Sequence, residues 1–416
     1  MNKKSFLWNM LGSGIYAAAT ILFVMIAKRC AGEEMGASFY MAFTTGQMLL
    51  TIGYFEMRPF QSTDVGFQFT EGDYFGFRTL SSATMLLACI PVLIVYGVGR
   101  GTGACGLLLI LIMTAYKMMD AVSDVFEGEF QRRERMDLAG KSMFIRVCAG
   151  LVVFTLVAYI SRNILLSAFG MLLAAILSWF LTDLPWMKKM GNIRPTFSKE
   201  RLLRLFRSTV LLFLGSMMCN WIWNGTKYIV EWNYNAETTL IYGIIFMPVM
   251  VINLGSGFLF KPMLTTMARQ YEEKKYSSFV KTIGILLGGV ASITILCIGG
   301  AYLLGVPVLG AVYAVDLSAY RKEMLLLLAG GGLNAMGIIF YYCLTVMRRV
   351  RWIFAGYSMA LLVSFILPLL MSKYYGIRGI CYSYIMVMGI LLVIHAIMTV
   401  LCILREQRGN RENESK

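Results

Sequence analysis

Residues 132–143 have the sequence RRERMDLAGKSM, and residues 348–359 have the sequence RRVRWIFAGYSM. Seven of these twelve positions are identical at a spacing of 216 residues, and the same spacing, without a gap, also pairs Arg162 with Arg378 and Ser167 with Ser383. Shared hydrophobicity alone would not align two arginine clusters and an Ala-Gly-x-Ser-Met sequence. The chain therefore contains an internal repeat, and each copy covers about half of it.

Each copy of the repeat consists of apolar runs that are long enough to cross a bilayer. The chain has 416 residues, of which 58% are hydrophobic and 15% are charged, whereas a soluble chain is about half apolar and a quarter charged. A membrane-spanning helix needs about 20 apolar residues. Runs of this kind predict twelve spans, at residues 6–27, 37–55, 79–97, 104–125, 142–161, 164–185, 206–229, 238–260, 282–304, 323–346, 352–372 and 379–404.

The basic residues predict the orientation of these spans. An even number of spans places both termini on one side, and 28 of the 38 Lys and Arg residues fall in segments on that side, against eight in the opposite segments. Because basic loops stay in the cytoplasm, we predict that both termini are inside. The run that starts at Phe6 is longer than the apolar region of a signal peptide, about 7–15 residues, which indicates an uncleaved first span.

The repeat also predicts how the chain is divided. We expect an all-α membrane protein with a six-helix lobe over 1–190, a basic cytoplasmic linker over 191–205, a second six-helix lobe over 206–404 and a cytoplasmic tail over 405–416. Six spans is an even number, so both lobes have the same orientation, as in parallel-repeat transporters. The net charge of +15 then reflects basic inner loops facing anionic lipid headgroups, and no nucleic-acid partner is expected.

Side chains suited to enzymatic or metal chemistry are sparse. Nine cysteines are scattered without a C-x-x-C spacing, and the only histidine is His395, which alone cannot form a metal site. The longest predicted outer loop, about 305–322, has a single acid, Asp316. We therefore expect no enzymatic activity, no metal site and no cofactor other than a coupling H⁺ or Na⁺.

One face of the fourth span carries polar side chains at steps of three and four residues: Lys117, Asp120, Asp124, Glu127 and Gln131. An ionisable group inside a span costs roughly 2.5–3.5 kcal/mol and is a functional candidate by default. Lys117 can pair with Asp120 three residues on, and Asp120 and Asp124 are candidates for a coupling site. For Glu127 and Glu129, we favour acids that are solvated where the helix runs out into the cytosol.

Several basic residues are candidates for binding an anionic substrate. Lys227 in the seventh span and Lys28 and Arg29 at the end of the first span occupy comparable places in the two halves, and Arg58 and Lys261 each follow the second span of their half. The alternatives stay open: Lys227 snorkels at the outer interface, and Arg58 and Lys261 are ordinary basic residues at inner helix ends.

Two stretches resemble the polysaccharide flippases of the multidrug/oligosaccharidyl-lipid/polysaccharide (MOP) exporter superfamily. These are MRPFQSTDV at 57–65 and MDAVSDVFEG at 119–128, which leads into DLAGKS at 137–142. The first two spans, from Trp8 and Asn9 to Gly32, Gly36 and Tyr40, are also similar, and the resemblance covers nearly the whole chain. It implies a V-shaped pair of lobes, similar to the MATE transporters of the same superfamily, around a central cavity in a bacterial inner membrane.

The resemblance also implies a function. A flippase of this family moves an undecaprenyl-pyrophosphate-linked oligosaccharide from the inner to the outer leaflet by alternating access, and cationic groups such as Lys28, Arg29, Arg58, Lys117, Lys227 and Lys261 suit its pyrophosphate. The expected partners are the polyprenyl-linked glycan, membrane lipids and other polysaccharide-assembly proteins.

Two alternatives belong to other functional classes. An ion-coupled drug exporter on the same fold is disfavoured because drug-exporting members often have an acid in the first span, and this chain has none. An integral-membrane glycosyltransferase or polymerase is disfavoured because the predicted outer loops are short.

Overall fold

A computed structural model describes residues 3–64, 68–99, 101–133, 135–191, 194–347 and 349–414. The described residues form the helices α1 (Lys3–Tyr54), α2 (Met57–Thr63), α3 (Glu71–Ile94), α4 (Ala104–Arg132), α5 (Met136–Ser161), α6 (Ile164–Ser178), α7 (Leu184–Lys188), α8 (Lys199–Asn233), α9 (Ala236–Glu272), α10 (Tyr276–Gly300), α11 (Val306–Tyr313), α12 (Arg321–Val346) and α13 (Val350–Glu414). Three π-helical turns, Val95–Gly99, Trp179–Asp183 and Ala301–Gly305, and a short 3₁₀ helix, Ser318–Tyr320, complete these elements.

The two longest helices each fold back on themselves at a glycine. In α1, Gly32 has φ 86° and ψ −177°, and the rings of Phe23 and Phe43 lie 6.2 Å apart, whereas a straight helix would separate them by about 30 Å. In α13, Gly376 has φ 59° and ψ −142°. Arg349, just before α13, contacts Glu406 near its other end at 3.2 Å. Each of these helices therefore provides two spans.

Ten helical stretches in the described ranges are long and apolar enough to cross a membrane. Two of them, Leu7–Tyr54 and Arg351–Glu406, contain the Gly32 and Gly376 breaks. Counting these two twice gives the twelve spans expected from hydropathy, so the prediction of an all-α, multi-pass membrane protein is confirmed.

The chain divides into two compact units, Met1–Met217 and Met218–Lys416. The division falls within α8, and we refer to the two parts as unit 1 and unit 2. The lobe boundaries at 190 and 206 and the linker over 191–205 stay a prediction.

The Ala-Gly pair of the repeat lies at a close helix approach in both units. A Cβ atom added at Gly140 in α5 would lie 2.4 Å from the backbone of Trp8 in α1. A Cβ added at Gly356 would lie 2.6 Å from Nε2 of His395, within the same folded-back α13. Since helices in lipid associate mainly through close packing, a glycine at this position lets the backbones approach. His395 is buried there and packs edge-on to Tyr357 at 5.1 Å.

The third span of each half ends in a π-helical turn, Val95–Gly99 in the first and Ala301–Gly305 in the second. Between the end of the turn and the repeated arginine cluster there are 32 residues in the first half and 42 in the second. The additional residues correspond to α11 and Ser318–Tyr320. The two turns are 206 residues apart, ten fewer than the spacing of the repeated motif, and π-helical turns are rare.

Candidate functional site

The polar face of α4 is buried in unit 1 and forms ion pairs with three other helices. Lys117, Asp120, Asp124 and Glu127 come from α4 itself, and their partners are Arg58 from α2, Arg78 from α3 and Arg146 from α5. The seven groups alternate in sign along one path, which we call the ion-pair chain. Its order is Lys117, Asp120, Arg146, Glu127, Arg58, Asp124 and Arg78.

Asp120 lies near one end of the ion-pair chain. Its Oδ2 is 3.2 Å from Nζ of Lys117 and its Oδ1 is 3.2 Å from Nε of Arg146. The hydroxyl of Tyr16 in α1 donates a further hydrogen bond to Asp120 at 3.2 Å. Lys117, only 2% exposed, also lies 4.5 Å from the ring centre of Phe43. The predicted contact between Lys117 and Asp120 is therefore present, within a wider set of partners.

The other end of the ion-pair chain is held by three arginines. Glu127 lies 3.1 Å from Arg146 and 2.8 Å from Arg58. Asp124 lies 3.1 Å from Arg58 and 2.7 Å from Arg78. Each acid thus has two cationic partners, as a buried charge requires, because an unpaired ion in a low-dielectric interior is very costly.

The prediction that Glu127 and Glu129 are solvated is wrong. They are 1% and 0% exposed, because α2 and the start of α3 cover the end of α4. Glu129 accepts hydrogen bonds from Arg133 at 2.8 Å and from Gln61 at 3.3 Å, and its Oε2 lies 2.9 Å from Arg132. The sequence alone suggested a helix leaving the membrane, but it does not show which neighbouring element covers that end.

The two stretches that carry the family resemblance contact each other. Arg58 and Gln61 belong to the first, and the acids of α4 and Gly128 belong to the second. A Cβ atom added at Gly128 would lie 2.5 Å from Oε1 of Gln61, and Nε2 of Gln61 donates to the carbonyl of Val125 at 3.2 Å. The resemblance therefore marks a packed, charged contact between α2 and α4.

Lys28 and Arg29 lie where α1 folds back. Nζ of Lys28 is 3.0 Å from Glu33, on the other side of the break at Gly32, and Lys28 is buried while Arg29 is exposed. A Cβ atom added at Gly36 would lie 2.9 Å from the Cα of Lys28. Lys28 therefore has an acidic partner of its own.

Lys227 differs from the cations of the ion-pair chain. It is half-buried in α8, its Nζ donates to Oδ1 of Asn224 at 3.1 Å, and it lies 4.2 Å from the ring centre of Phe246. Among the residues that the structure describes, no carboxylate lies within 4.0 Å of its Nζ. Its charge is therefore not neutralised by a neighbouring acid. The side chain of Lys261 lies outside the described residues.

In the second half of the repeat, uncharged residues lie at the positions of five members of the ion-pair chain. At the spacing of 216, Lys117, Asp120, Asp124, Glu127 and Arg146 correspond to Leu333, Met336, Phe340, Cys343 and Leu362. The two halves share a sequence motif, but these five charges are present only in the first half.

Sequence reasoning did not select Arg78 or Arg146. Both pair with acids that are distant in the chain, 46 residues away for Arg78 and Asp124 and 26 for Arg146 and Asp120. A signal did exist for Arg146, since it falls inside the predicted fifth span over 142–161, where an arginine requires a partner.

Comparison with known proteins identifies similar chains at low identity. No protein-family model matches this chain. It is 21% identical over 309 residues to the capsular polysaccharide biosynthesis protein CapF of Staphylococcus aureus, and the match covers 72% of this chain and 76% of that protein.

The fold is shared with solved transporter structures. An inward-facing multidrug resistance MATE family transporter of the MOP superfamily matches with a TM-score of 0.71 at 12% identity, over 94% of this chain and 96% of that one. The lipid II flippase MurJ, in an inward closed conformation, matches with a TM-score of 0.69 at 14% identity, over 95% and 90% of the two chains. The prediction of a MATE-like fold with two six-span halves is confirmed.

Proposed function

We propose that this protein is a flippase that moves an undecaprenyl-pyrophosphate-linked oligosaccharide from the inner to the outer leaflet of the bacterial cytoplasmic membrane by alternating access. Two similarities, one of fold and one of sequence, together support the proposal. The chain has the fold of a lipid II flippase over nearly its whole length, and it is similar in sequence to a capsular polysaccharide biosynthesis protein. The proposed partners are a polyprenyl-linked glycan, membrane lipids and other polysaccharide-assembly proteins.

Lys227 is the residue that we propose to bind the pyrophosphate. An ammonium group has three N–H donors, and one of those of Lys227 is directed to Asn224, which leaves two for phosphate oxygens. Since no described acid neutralises the charge, a pyrophosphate does not have to displace a carboxylate first. Asn224 and the ring of Phe246 hold the ammonium in place, which reduces the entropy lost on binding.

We propose different roles for the other candidate cations. Arg58 and Lys117 already pair with acids, and we propose that they stabilise unit 1 more than they contact substrate. Lys28 and Arg29 stay candidates for a second cationic site, as does Lys261. For Asp120 and Asp124 to bind a coupling H⁺ or Na⁺, the ion would have to compete with the lysine or arginines that neutralise each acid.

The experiment is a translocation assay in proteoliposomes with a fluorescent polyprenyl-pyrophosphate oligosaccharide. Translocation is measured as the fraction protected from an enzyme that cannot cross the membrane. Lys227→Ala should reduce the rate roughly tenfold to a hundredfold, because a hydrogen bond to a charged group contributes about 1.5–3 kcal/mol. Lys227→Arg keeps the charge and should retain most of the activity.

The matched control is Lys373→Ala, which removes an exposed lysine and should leave the rate unchanged. If the Lys227→Ala variant had full activity at normal protein abundance, Lys227 would not be part of the substrate-binding site. If the wild-type protein moved no lipid-linked glycan but lowered the susceptibility of cells to cationic drugs, the ion-coupled exporter would replace the flippase. Sugar transfer by the purified protein would instead favour the glycosyltransferase or polymerase.

A further inference from the structure

Unit 1 contains an apolar cavity of 560 Å³ that the ion-pair chain does not use. It lies where the end of the second span in α1, the middle of α3 and the start of α8 come together. Four phenylalanine rings form much of its wall, from Phe55, Phe77, Phe197 and Phe206. Its volume falls in the range of ligand-binding pockets, about 300–1,000 Å³.

The polar groups in this wall restrict what can bind. The hydroxyl of Ser81 donates to the carbonyl of Gly53 at 2.8 Å, and that of Thr84 donates to the carbonyl of Leu80 at 2.9 Å. Both donors are therefore already used within the protein. A sugar or a polar drug would find few hydrogen-bonding partners, so the chemistry of the wall fits a hydrocarbon chain.

The position of Phe55 is maintained by an unusual backbone. Phe55 has φ 47°, a left-handed conformation that costs a residue with a side chain about 1–2 kcal/mol. Its ring stacks on Phe213 at 4.2 Å with an interplanar angle of 9°. This contact fixes the end of the second span against α8 and keeps that wall of the cavity in place.

Lys199 supplies a positive charge to the cavity. It lines the cavity and is exposed. Its basic neighbours are occupied, since Arg201 pairs with Asp73 at 3.1 Å and Arg204 with Glu200 at 3.2 Å. Lys199 has no carboxylate within 4.0 Å among the residues that the structure describes. A charged group beside an apolar cavity matches a lipid whose headgroup is anionic.

We infer that this cavity binds one acyl chain of an anionic phospholipid, whose phosphate is held by Lys199. The site is separate from Lys227, which lies in unit 2, and the inference does not depend on which molecule the protein transports. Its occupant would contact Ile52 of α1, Phe77 of α3 and Phe206 of α8.

Native mass spectrometry of the purified full-length protein tests this inference. The protein is titrated with dioleoyl phosphatidylglycerol, and with dioleoyl phosphatidylcholine as the zwitterionic comparison. We expect one saturable phosphatidylglycerol site and weaker binding of phosphatidylcholine. Lys199→Ala should weaken phosphatidylglycerol binding about fivefold, which corresponds to about 1 kcal/mol for one basic group near an anionic lipid.

A second variant fills the cavity. Thr84→Trp places an indole in the wall and should abolish the saturable site. Ala83→Trp is the control, because Ala83 is exposed one residue earlier on α3 and does not line the cavity. A size-exclusion profile like that of the wild type shows that each variant is folded.

Three results would overturn the inference. The first is equal binding of both phospholipids with no effect of Lys199→Ala. The second is a phosphatidylglycerol site that persists in Thr84→Trp. The third is an undecaprenyl phosphate probe that displaces phosphatidylglycerol from the same site at lower concentration, which would assign the cavity to a polyprenyl chain.

Discussion

Arg146 is the most connected cation of the ion-pair chain. It lies between Asp120 at 3.2 Å and Glu127 at 3.1 Å, and the side chains of all three are at most 3% exposed. Replacing a buried ion pair by well-packed apolar residues is often neutral, but removing one partner leaves the other charge buried and unpaired. At the spacing of the repeat, Leu362 corresponds to Arg146, and Met336 and Cys343 correspond to Asp120 and Glu127, so all three groups are uncharged there.

Arg146→Leu alone should therefore be strongly destabilising. It copies the residue of the second half but leaves Asp120 and Glu127 with one cationic partner fewer, at an expected cost of about 3–5 kcal/mol. The melting temperature of the purified protein and its abundance in membranes should both fall.

The control for this variant is Arg135→Leu, which removes a half-exposed arginine paired with Asp137 at 3.0 Å. Such surface pairs contribute about 0–1 kcal/mol, so its melting temperature should stay near that of the wild type. Equal melting temperatures for the two variants would mean that the ion-pair chain does not stabilise unit 1.

The sequence predicted the contacts within α4 but not those between helices. Lys117 and Asp120 are three residues apart, and helical geometry alone brings them together. Arg58, Arg78 and Arg146 come from three other helices, and a single sequence does not reveal which helices pack. The prediction for Glu127 and Glu129 was wrong for the same reason, since α2 supplies the cover and its position follows from tertiary packing.

At the scale of the elements, two glycines determine how long helices become pairs of spans. Gly32 has φ 86° and ψ −177°, and no atom lies within 4 Å of a Cβ added there. This backbone region is almost restricted to glycine and costs other residues about 1–3 kcal/mol. Position 32 therefore requires glycine for its backbone conformation, and not because a side chain would lack space.

Gly32→Ala should lower the melting temperature by an amount that corresponds to about 1–3 kcal/mol. Gly14→Ala in the same helix is the matched control, because a Cβ there also meets no atom within 4 Å but the backbone is helical. Gly14→Ala should be neutral or slightly stabilising, since alanine favours a helix over glycine by about 1 kcal/mol. A Gly32→Ala variant as stable as Gly14→Ala would contradict the assignment of the fold-back to this residue.

The hydropathy pattern was sufficient to predict where these two breaks occur. Polar residues separate the first two apolar runs, and a shorter polar interruption near residues 373–378 separates the last two. The π-helical turns were not predicted, because they lie near the ends of predicted spans, where hydropathy does not distinguish a π-helical turn from an α-helical one. The short helix α2 was not predicted either, since its seven residues are too few for a periodic pattern.

At the scale of the whole molecule, the distribution of basic residues predicts that both termini are cytoplasmic. A C-terminal fusion to a fluorescent protein that folds only in the cytoplasm should be bright, and a C-terminal fusion to alkaline phosphatase should be inactive. Alkaline phosphatase fused after a truncation at Arg162, in a predicted outer segment, should be active. The opposite pattern of activities would reverse the predicted orientation.

The boundary between the two units could not be located from the residues alone. The repeat predicted two halves of equal span number because duplicated segments keep their motifs and their apolar lengths. The structural division at Met217 and Met218 falls inside the continuous helix α8, within an apolar run where composition does not change.

The alternating signs of the ion-pair chain also have an electrical consequence. Its four cations and three acids leave one positive charge, and Asp183, 3.9 Å from Arg146, brings the sum to zero. Moving an unbalanced elementary charge through the full membrane potential involves about 2.3 kcal/mol per 100 mV, whereas displacing a neutral cluster involves almost none. With all eight of these groups ionised, voltage therefore exerts little net force on the ion-pair chain, whereas the ammonium of Lys227 has no carboxylate within 4.0 Å among the described residues.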